Sequence, residues 1–279
     1  MNARRPWWAS GLMYAALALY MVYLAFPLVW MLSTSFKPAP EISALVPSLL
    51  PDDPTLGNYL SAFEQQNIAR SALNSLQISI ITAVVSVLIA LPAAYAVARI
   101  RSRLNKAVIG WVLLSQMFPL ILILVPLFLL LRYIHLANTH LGLIIVYVVW
   151  SLPFSLWLLQ GHIKAIPVEV EEAAAVDGAS RLRIIKDVVA PLLIPGLIAT
   201  VMFAFIQAWN EFFFALAVLK DPELATLSIT LAKFTGVDGT AQWGPLAASC
   251  FLATLPSLAL FALIQRRLTS GLLSGAVKS

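Results

Sequence analysis

Gln207, Trp209, Asn210 and Glu211 place two amides and a carboxylate beside an indole within five residues, and Phe212 and Phe213 follow directly. Amides and carboxylates that hydrogen-bond hydroxyl groups, next to aromatic faces, are what a polyhydroxylated solute needs from a surface that borders its path. The same groups also suit hydrogen bonding between neighbouring helices, and both readings stand at this level. A second group, Glu169, Glu171 and Glu172 followed by Ala173, Ala174, Ala175, Asp177 and Gly178, sets carboxylates ahead of an alanine surface and a helix-breaking pair. Reaction chemistry is missing from the pattern. One cysteine, Cys250, and three histidines, His135, His140 and His162, stand at no metal-ligand spacing. There is no Ser/His/Asp arrangement and no GxxxxGK[ST] loop, so neither a catalytic site, a metal nor a bound cofactor is expected in this chain.

The elements that position these groups follow from composition. Of 279 residues 61% are hydrophobic and 11% charged, and the mean hydropathy is +0.89. Soluble domains run nearer 45–50% apolar and about 25% charged, so a water-exposed globule is excluded and most of the outer surface must face lipid. The net charge of +5 comes from thinly spread Lys and Arg, which argues against a nucleic-acid partner. Long, nearly uncharged runs predict an all-α polytopic membrane protein, a single domain with six transmembrane helices over about 12–34, 71–98, 107–131, 141–160, 191–219 and 243–265. The first run lacks a cleavage site and reads as an uncleaved anchor. Of the 18 Lys and Arg, 13 fall in the terminal segments and in the loops after spans two and four, which predicts that these, including both termini, are cytoplasmic. Pro27, Pro92, Pro119, Pro126, Pro153, Pro195 and Pro256 fall within the runs and predict kinked helices that bundle.

The cytoplasmic loop 161–190 carries too much pattern for a linker. Pro167 and the acidic residues behind it fit a helix start, while Asp177 and Gly178 fit its end. A second short helix then starts at Ala179 or Ser180, with Leu182, Ile185, Val188 and Val189 on its apolar face before Pro191. A helix lying in the headgroup layer is the plain alternative. An anionic leaflet would repel Glu169, Glu171 and Glu172, whereas a groove on a soluble protein would accept the short alanine face.

Glu172-Ala173-Ala174, Asp177-Gly178-Ala179 and Pro191, with Gly178 thirteen residues before the proline, resemble the EAA signature of bacterial ABC importer permeases. Pro27-Leu28-Val29-Trp30, Ser35-Phe36-Lys37-Pro38, Asn74-Ser75, Gln116-Met117-Phe118-Pro119, Trp209-Asn210-Glu211-Phe212 and Ser274-Gly275-Ala276-Val277-Lys278 are similar to the carbohydrate, MalG-like branch. Ile185 departs from the pattern, since many relatives carry an aromatic there. The resemblance implies a MetI-like permease core in the bacterial inner membrane. It implies a homologous permease, two ATPase subunits that bind ATP and Mg, an extracytoplasmic solute-binding protein and a sugar substrate as partners. It also implies that Glu172, Ala173, Ala174, Asp177, Gly178, Ala179 and Pro191 form the ATPase-coupling element.

The outward segment 220–240, with Phe234, Gly236 and Asp238, reads as flexible and polar. It is suited to touch the binding protein, as the same loop does in the subunits it resembles, or it is only a connector. Rival readings are an importer for another small polar solute, an ion-coupled transporter using Glu211 as the titrating group, and a scaffold that recruits a cytosolic protein.

Overall fold

The computed structural model describes residues 7–100, 103–236 and 241–276. Among the described residues fourteen α-helices follow one another in chain order. They are α1 (Trp7–Ser35), α2 (Ala39–Ile42), α3 (Gly57–Gln66), α4 (Ile68–Arg99), α5 (Arg103–Ser115), α6 (Leu120–Tyr133), α7 (His140–Lys164), α8 (Val168–Val176), α9 (Arg181–Arg183), α10 (Ala190–Leu192), α11 (Ile194–Asn210), α12 (Phe213–Val218), α13 (Leu227–Ala232) and α14 (Trp243–Ala276). A π-helical turn, Ile184–Val189, joins α9 to α10.

Among the described residues four helical stretches are long and apolar enough to cross a bilayer: Trp8–Ser35, Ile68–Arg99, His140–Lys164 and Trp243–Gln265. The bent pair Arg181–Leu192 and Ile194–Asn210, which turns by 79°, is a fifth candidate. With 32 residues α4 runs about 48 Å, well beyond the roughly 30 Å of hydrocarbon. Pro92, Pro153 and Pro256 are carried inside continuous helices, since a membrane bundle can re-satisfy the carbonyls they free.

Two of the expected continuous helices are interrupted. The 107–131 run is divided between α5 and α6 by Gln116–Pro119, because Pro119 supplies no N–H and restricts the backbone of Phe118 before it. The 191–219 run is divided between α11 and α12 at Glu211, whose backbone is extended (φ −71°, ψ 132°).

The chain forms two compact units. The first comprises residues 1–69 and 230–255. None of the apolar window of α1 is buried, whereas Ser33 and Ser35 in its last turn are. Its end is anchored: Asn58 Nδ2 donates to the carbonyls of Ser35 at 3.0 Å and Lys37 at 2.8 Å, and the Ser35 and Tyr59 hydroxyls pair at 2.8 Å. Lys37 is buried, with its ammonium on the Ser48 carbonyl, 4.0 Å from Glu41 and 5.0 Å from the Trp30 ring centroid.

The second unit, residues 70–229 and 256–279, holds two buried apolar clusters. One gathers Ile78, Leu131, Leu143, Tyr147, Phe214 and Val218, and the other Ala90, Ala94, Leu159, Ile163, Ile184 and Val189. A polar stripe, Asn74, Ser75, Ser79, Thr82 and Ser86, runs buried along α4 at helical spacing. Ser86 meets Ser151 of α7 at 2.6 Å.

The segment from Lys220 differs from the flexible loop its composition suggests. Asn138 Oδ1 accepts the N–H groups of Lys220 at 2.8 Å and Asp221 at 3.1 Å, and Asn74 Nδ2 donates to the carbonyls of Glu223 and Ala225. His140 Nε2 bonds the Leu224 carbonyl at 3.0 Å, and Ser75 Oγ accepts from Leu227 N at 2.8 Å. Polar side chains thus satisfy backbone groups of 220–227 that the short 3-10 turn Pro222–Leu224 leaves over.

Candidate coupling helix and broken-span polar site

The loop after α7 folds as a helix for local reasons. Pro167, extended at φ −56° and ψ 135°, precedes α8, and Glu169 and Glu171 lie in its first turn, where the dipole favours them. At the other end Gly178 has φ +83°. Gly178 N donates to Ala175 O at 3.0 Å and Ala179 N to Ala174 O at 3.0 Å, the paired bonds of a Schellman cap. Ala174 and Ala179, its accompanying apolar contact, both pack against the cluster of Ala94, Leu159, Ile163 and Val189. Glu172, Ala173, Ala175, Val176 and Asp177 are exposed, with Val176 at 87%. One face of α8 is therefore free, and its alanines permit close approach of another chain.

Sequence pattern alone gives no sign of how α8 is held. Glu171, grouped by sequence with Glu169 and Glu172, turns inward and is 7% exposed. Its Oε1 accepts from Arg99 Nε at 2.7 Å and lies 2.6 Å from Arg99 Nη2, while Tyr95 Oη donates to Oε2 at 2.7 Å. Arg99 Nη2 also donates to the Ile166 carbonyl at 2.9 Å. Tyr95 and Arg99 stand one turn apart on α4, a spacing that was available in the sequence without naming their partner.

Beyond Gly178, Ser180 Oγ caps α9 by accepting from Arg183 N at 3.4 Å. The apolar face departs from the expected set at two positions: Leu182 is 78% exposed and Ile184, outside the set, is buried, while Val189 is buried and Val188 packs against the same cluster, as expected. The i→i+5 pattern of the π turn shifts the phase of the helix, so a 3.6-residue period misplaces its inner side. Pro191 stands exposed in α10, directly after the π turn.

At the α11–α12 break the carboxylate of Glu211 is occupied by its own chain. Oε1 accepts Phe214 N at 2.9 Å, and Oε2 accepts Ala215 N at 3.0 Å and Tyr147 Oη at 2.8 Å. Ser228 Oγ donates to the Glu211 carbonyl at 2.6 Å. Glu211 thus satisfies the first free N–H groups of α12 and ties the break to α7. Trp209 is buried and stacks on Phe205 at 5.8 Å. Asn210 is exposed, its Nδ2 on the Ile206 carbonyl at 3.0 Å. Gln207 has a buried Oε1 with no hydrogen-bond partner among the described residues.

In the segment after α13 Phe234 is 1% exposed and its carbonyl accepts Gln242 N at 2.9 Å, while Gly236 is exposed. Asp238 lies outside the described residues. Among the described residues no group of three His, Cys, Asp or Glu is placed to hold a metal ion.

Long apolar helices, interrupted runs and a short capped helix with one free face between two of them define an integral membrane subunit of the transport type. The chain belongs to the family described as binding-protein-dependent transport system inner membrane component, matched over residues 86–273. It is 55% identical to a putative ABC transporter permease protein of Streptomyces antibioticus over 230 residues, 82% of this chain and 100% of that one. It is 37% identical to the diacetylchitobiose uptake system permease protein DasC of Streptomyces coelicolor, covering 91% of this chain and 92% of that one. A subunit of a bacterial ABC transporter for import of the acidic polysaccharide alginate has the same fold, with TM-score 0.79 and 22% identity over 95% of this chain and 98% of that one.

Proposed function

We propose that this chain is the permease subunit of an ATP-driven ABC importer for a sugar or oligosaccharide, paired with a homologous permease, two ATPase subunits and an extracytoplasmic binding protein. ATP and Mg bind and react on the ATPase subunits, and this chain converts their closure into alternating access. The observation that carries the reading is the free face of α8, ended by a Schellman cap at Gly178 and rooted in the cluster of Ala94, Leu159, Ile163 and Val189. Glu172, Ala173, Ala174, Asp177, Gly178, Ala179 and Pro191 form this coupling element, on the cytoplasmic side with both termini. The saccharide class is supported by the relation to DasC and by the carbohydrate-branch motifs that run along the chain.

Gln207, Trp209, Asn210 and Glu211 act chiefly as the polar joint of span five, with Asn210 the residue best placed to meet a solute. An ion-coupled mechanism has little support, since both oxygens of Glu211 are taken by fixed donors. The test is uptake by the assembled importer in proteoliposomes, with labelled diacetylchitobiose among a panel of disaccharides. Uptake should require ATP and the binding protein, and should be lost with Glu172→Lys or Gly178→Val together with ATPase association. Accumulation by this chain alone under a proton or sodium gradient would overturn the reading.

A further inference from the structure

We infer that Arg99 and Tyr95 are positioning residues that fasten α8 to the inner end of α4, so that displacement of α8 is delivered to that long helix as well as to α7. The inference rests on reading α8 as the ATPase contact. Along the chain α8 is joined to α7 only by the turn Ala165–Pro167, and a push on its free face would flex that turn. Arg99 bridges the turn: one guanidinium bonds the Ile166 carbonyl on its near side and the Glu171 carboxylate on its far side. Tyr95, one helical turn earlier, holds the second carboxylate oxygen, so the carboxylate cannot swing about a single bond.

The join is withdrawn from water, with the Arg99 and Glu171 side chains 13% and 9% exposed. The other ion pairs among the described residues of this unit, Arg70–Glu223 and Arg183–Asp187, are exposed. A sheltered, doubly bonded pair resists separation because parting its members leaves a charge without a partner, whereas an exposed pair exchanges freely with water. Around it Ala94, Tyr95 and Ala98 of α4 pack in one cluster with Ile166, Ala174 and Ala179. The root of α8 therefore moves with α4.

The experiment uses the assembled importer with spin labels at Glu169→Cys on α8 and Ile89→Cys on α4, in a Cys250→Ser background. With the clamp intact the inter-label distance is narrow and the same without nucleotide and with ATP. Arg99→Ala or Glu171→Gln broadens it and makes it shift on adding ATP while ATP hydrolysis persists, and Tyr95→Phe broadens it less. The exchange Arg99→Glu with Glu171→Arg restores the narrow distance, which a merely structural loss would not permit. A distance that stays narrow and indifferent to nucleotide in Arg99→Ala and Glu171→Gln overturns the inference, as does an exchange pair that remains broad. Copurification separates the underlying reading: ATPase subunits that stay bound to Gly178→Val overturn α8 as their contact, whatever the clamp shows.

Discussion

Tyr147 of α7 donates its hydroxyl to Glu211 at 2.8 Å, and the same carboxylate accepts the N–H groups of Phe214 and Ala215. One side chain thereby cancels two free donors at the start of α12 and fixes the break to the neighbouring helix. Replacing Tyr147 with Phe removes one of these bonds and keeps the ring, so thermal unfolding in detergent should show a loss of about 1 kcal/mol with ATP-driven uptake retained. Glu211→Ala should cost more, about 2 kcal/mol, because the α12 donors also lose their acceptor. Equal losses for the two variants would show that the carboxylate does not cap α12.

Gly178 isolates a conformational cost from a steric one. Its φ is +83°, yet a Cβ built there meets nothing within 4 Å. Gly178→Ala should therefore lower stability only by the left-handed backbone penalty, about 1–2 kcal/mol, and Gly178→Asn by less. Gly178→Val should be worse than either, since branching at Cβ is poorly tolerated at positive φ. Thermal unfolding ranks the series, and an Asn variant less stable than the Val variant would contradict this origin.

Gly142 gives the opposite case. It is helical, but a Cβ would fall 2.1 Å from the carbonyl oxygen of Leu136, a backbone atom held by the turn that Thr139 caps. Overpacking against backbone cannot be relieved by a rotamer change, so Gly142→Ala should cost about 3 kcal/mol and reduce the folded yield in membranes. Thermal unfolding of solubilised protein reads this directly. A Gly142→Ala protein as stable as the parent would show that the α6–α7 turn gives way.

The elements that sequence shows well are those decided by local rules. Composition and run length locate the apolar helices, and Pro167, Asp177 and Gly178 delimit α8 because each residue type has its own backbone preference. What pattern leaves hidden depends on partners far along the chain. Glu171 looks like Glu169 and Glu172 until Arg99, 72 residues earlier, is placed beside it. Asn74 and Asn138 likewise become anchors of the 220–227 segment only once α4 and α7 are packed. Ile184, which the expected apolar face leaves out, is buried together with Val189 because the π turn sets them five residues apart, a period that no fixed 3.6-residue reading anticipates. The break at Glu211 follows from a capping role that a single acidic residue in an apolar run does not reveal.

Ser86 and Ser151 give a measurable value for one bond between two membrane helices. Their hydroxyls meet at 2.6 Å with both residues buried, and Ser151 also bonds the Val148 carbonyl at 3.2 Å. Water does not compete at this depth, yet the unfolded chain in a membrane also finds intrahelical acceptors for each hydroxyl, which limits the gain. A double-mutant cycle with Ser86→Ala and Ser151→Ala should give a coupling energy of about 0.6 kcal/mol, inside the range for such pairs. Because Ser151 keeps its intrahelical acceptor when Ser86 is truncated, Ser86→Ala should be the milder single change. Strict additivity of the two substitutions would mean that the hydroxyls share no stabilising bond and that the α4–α7 contact rests on the close fit of small side chains.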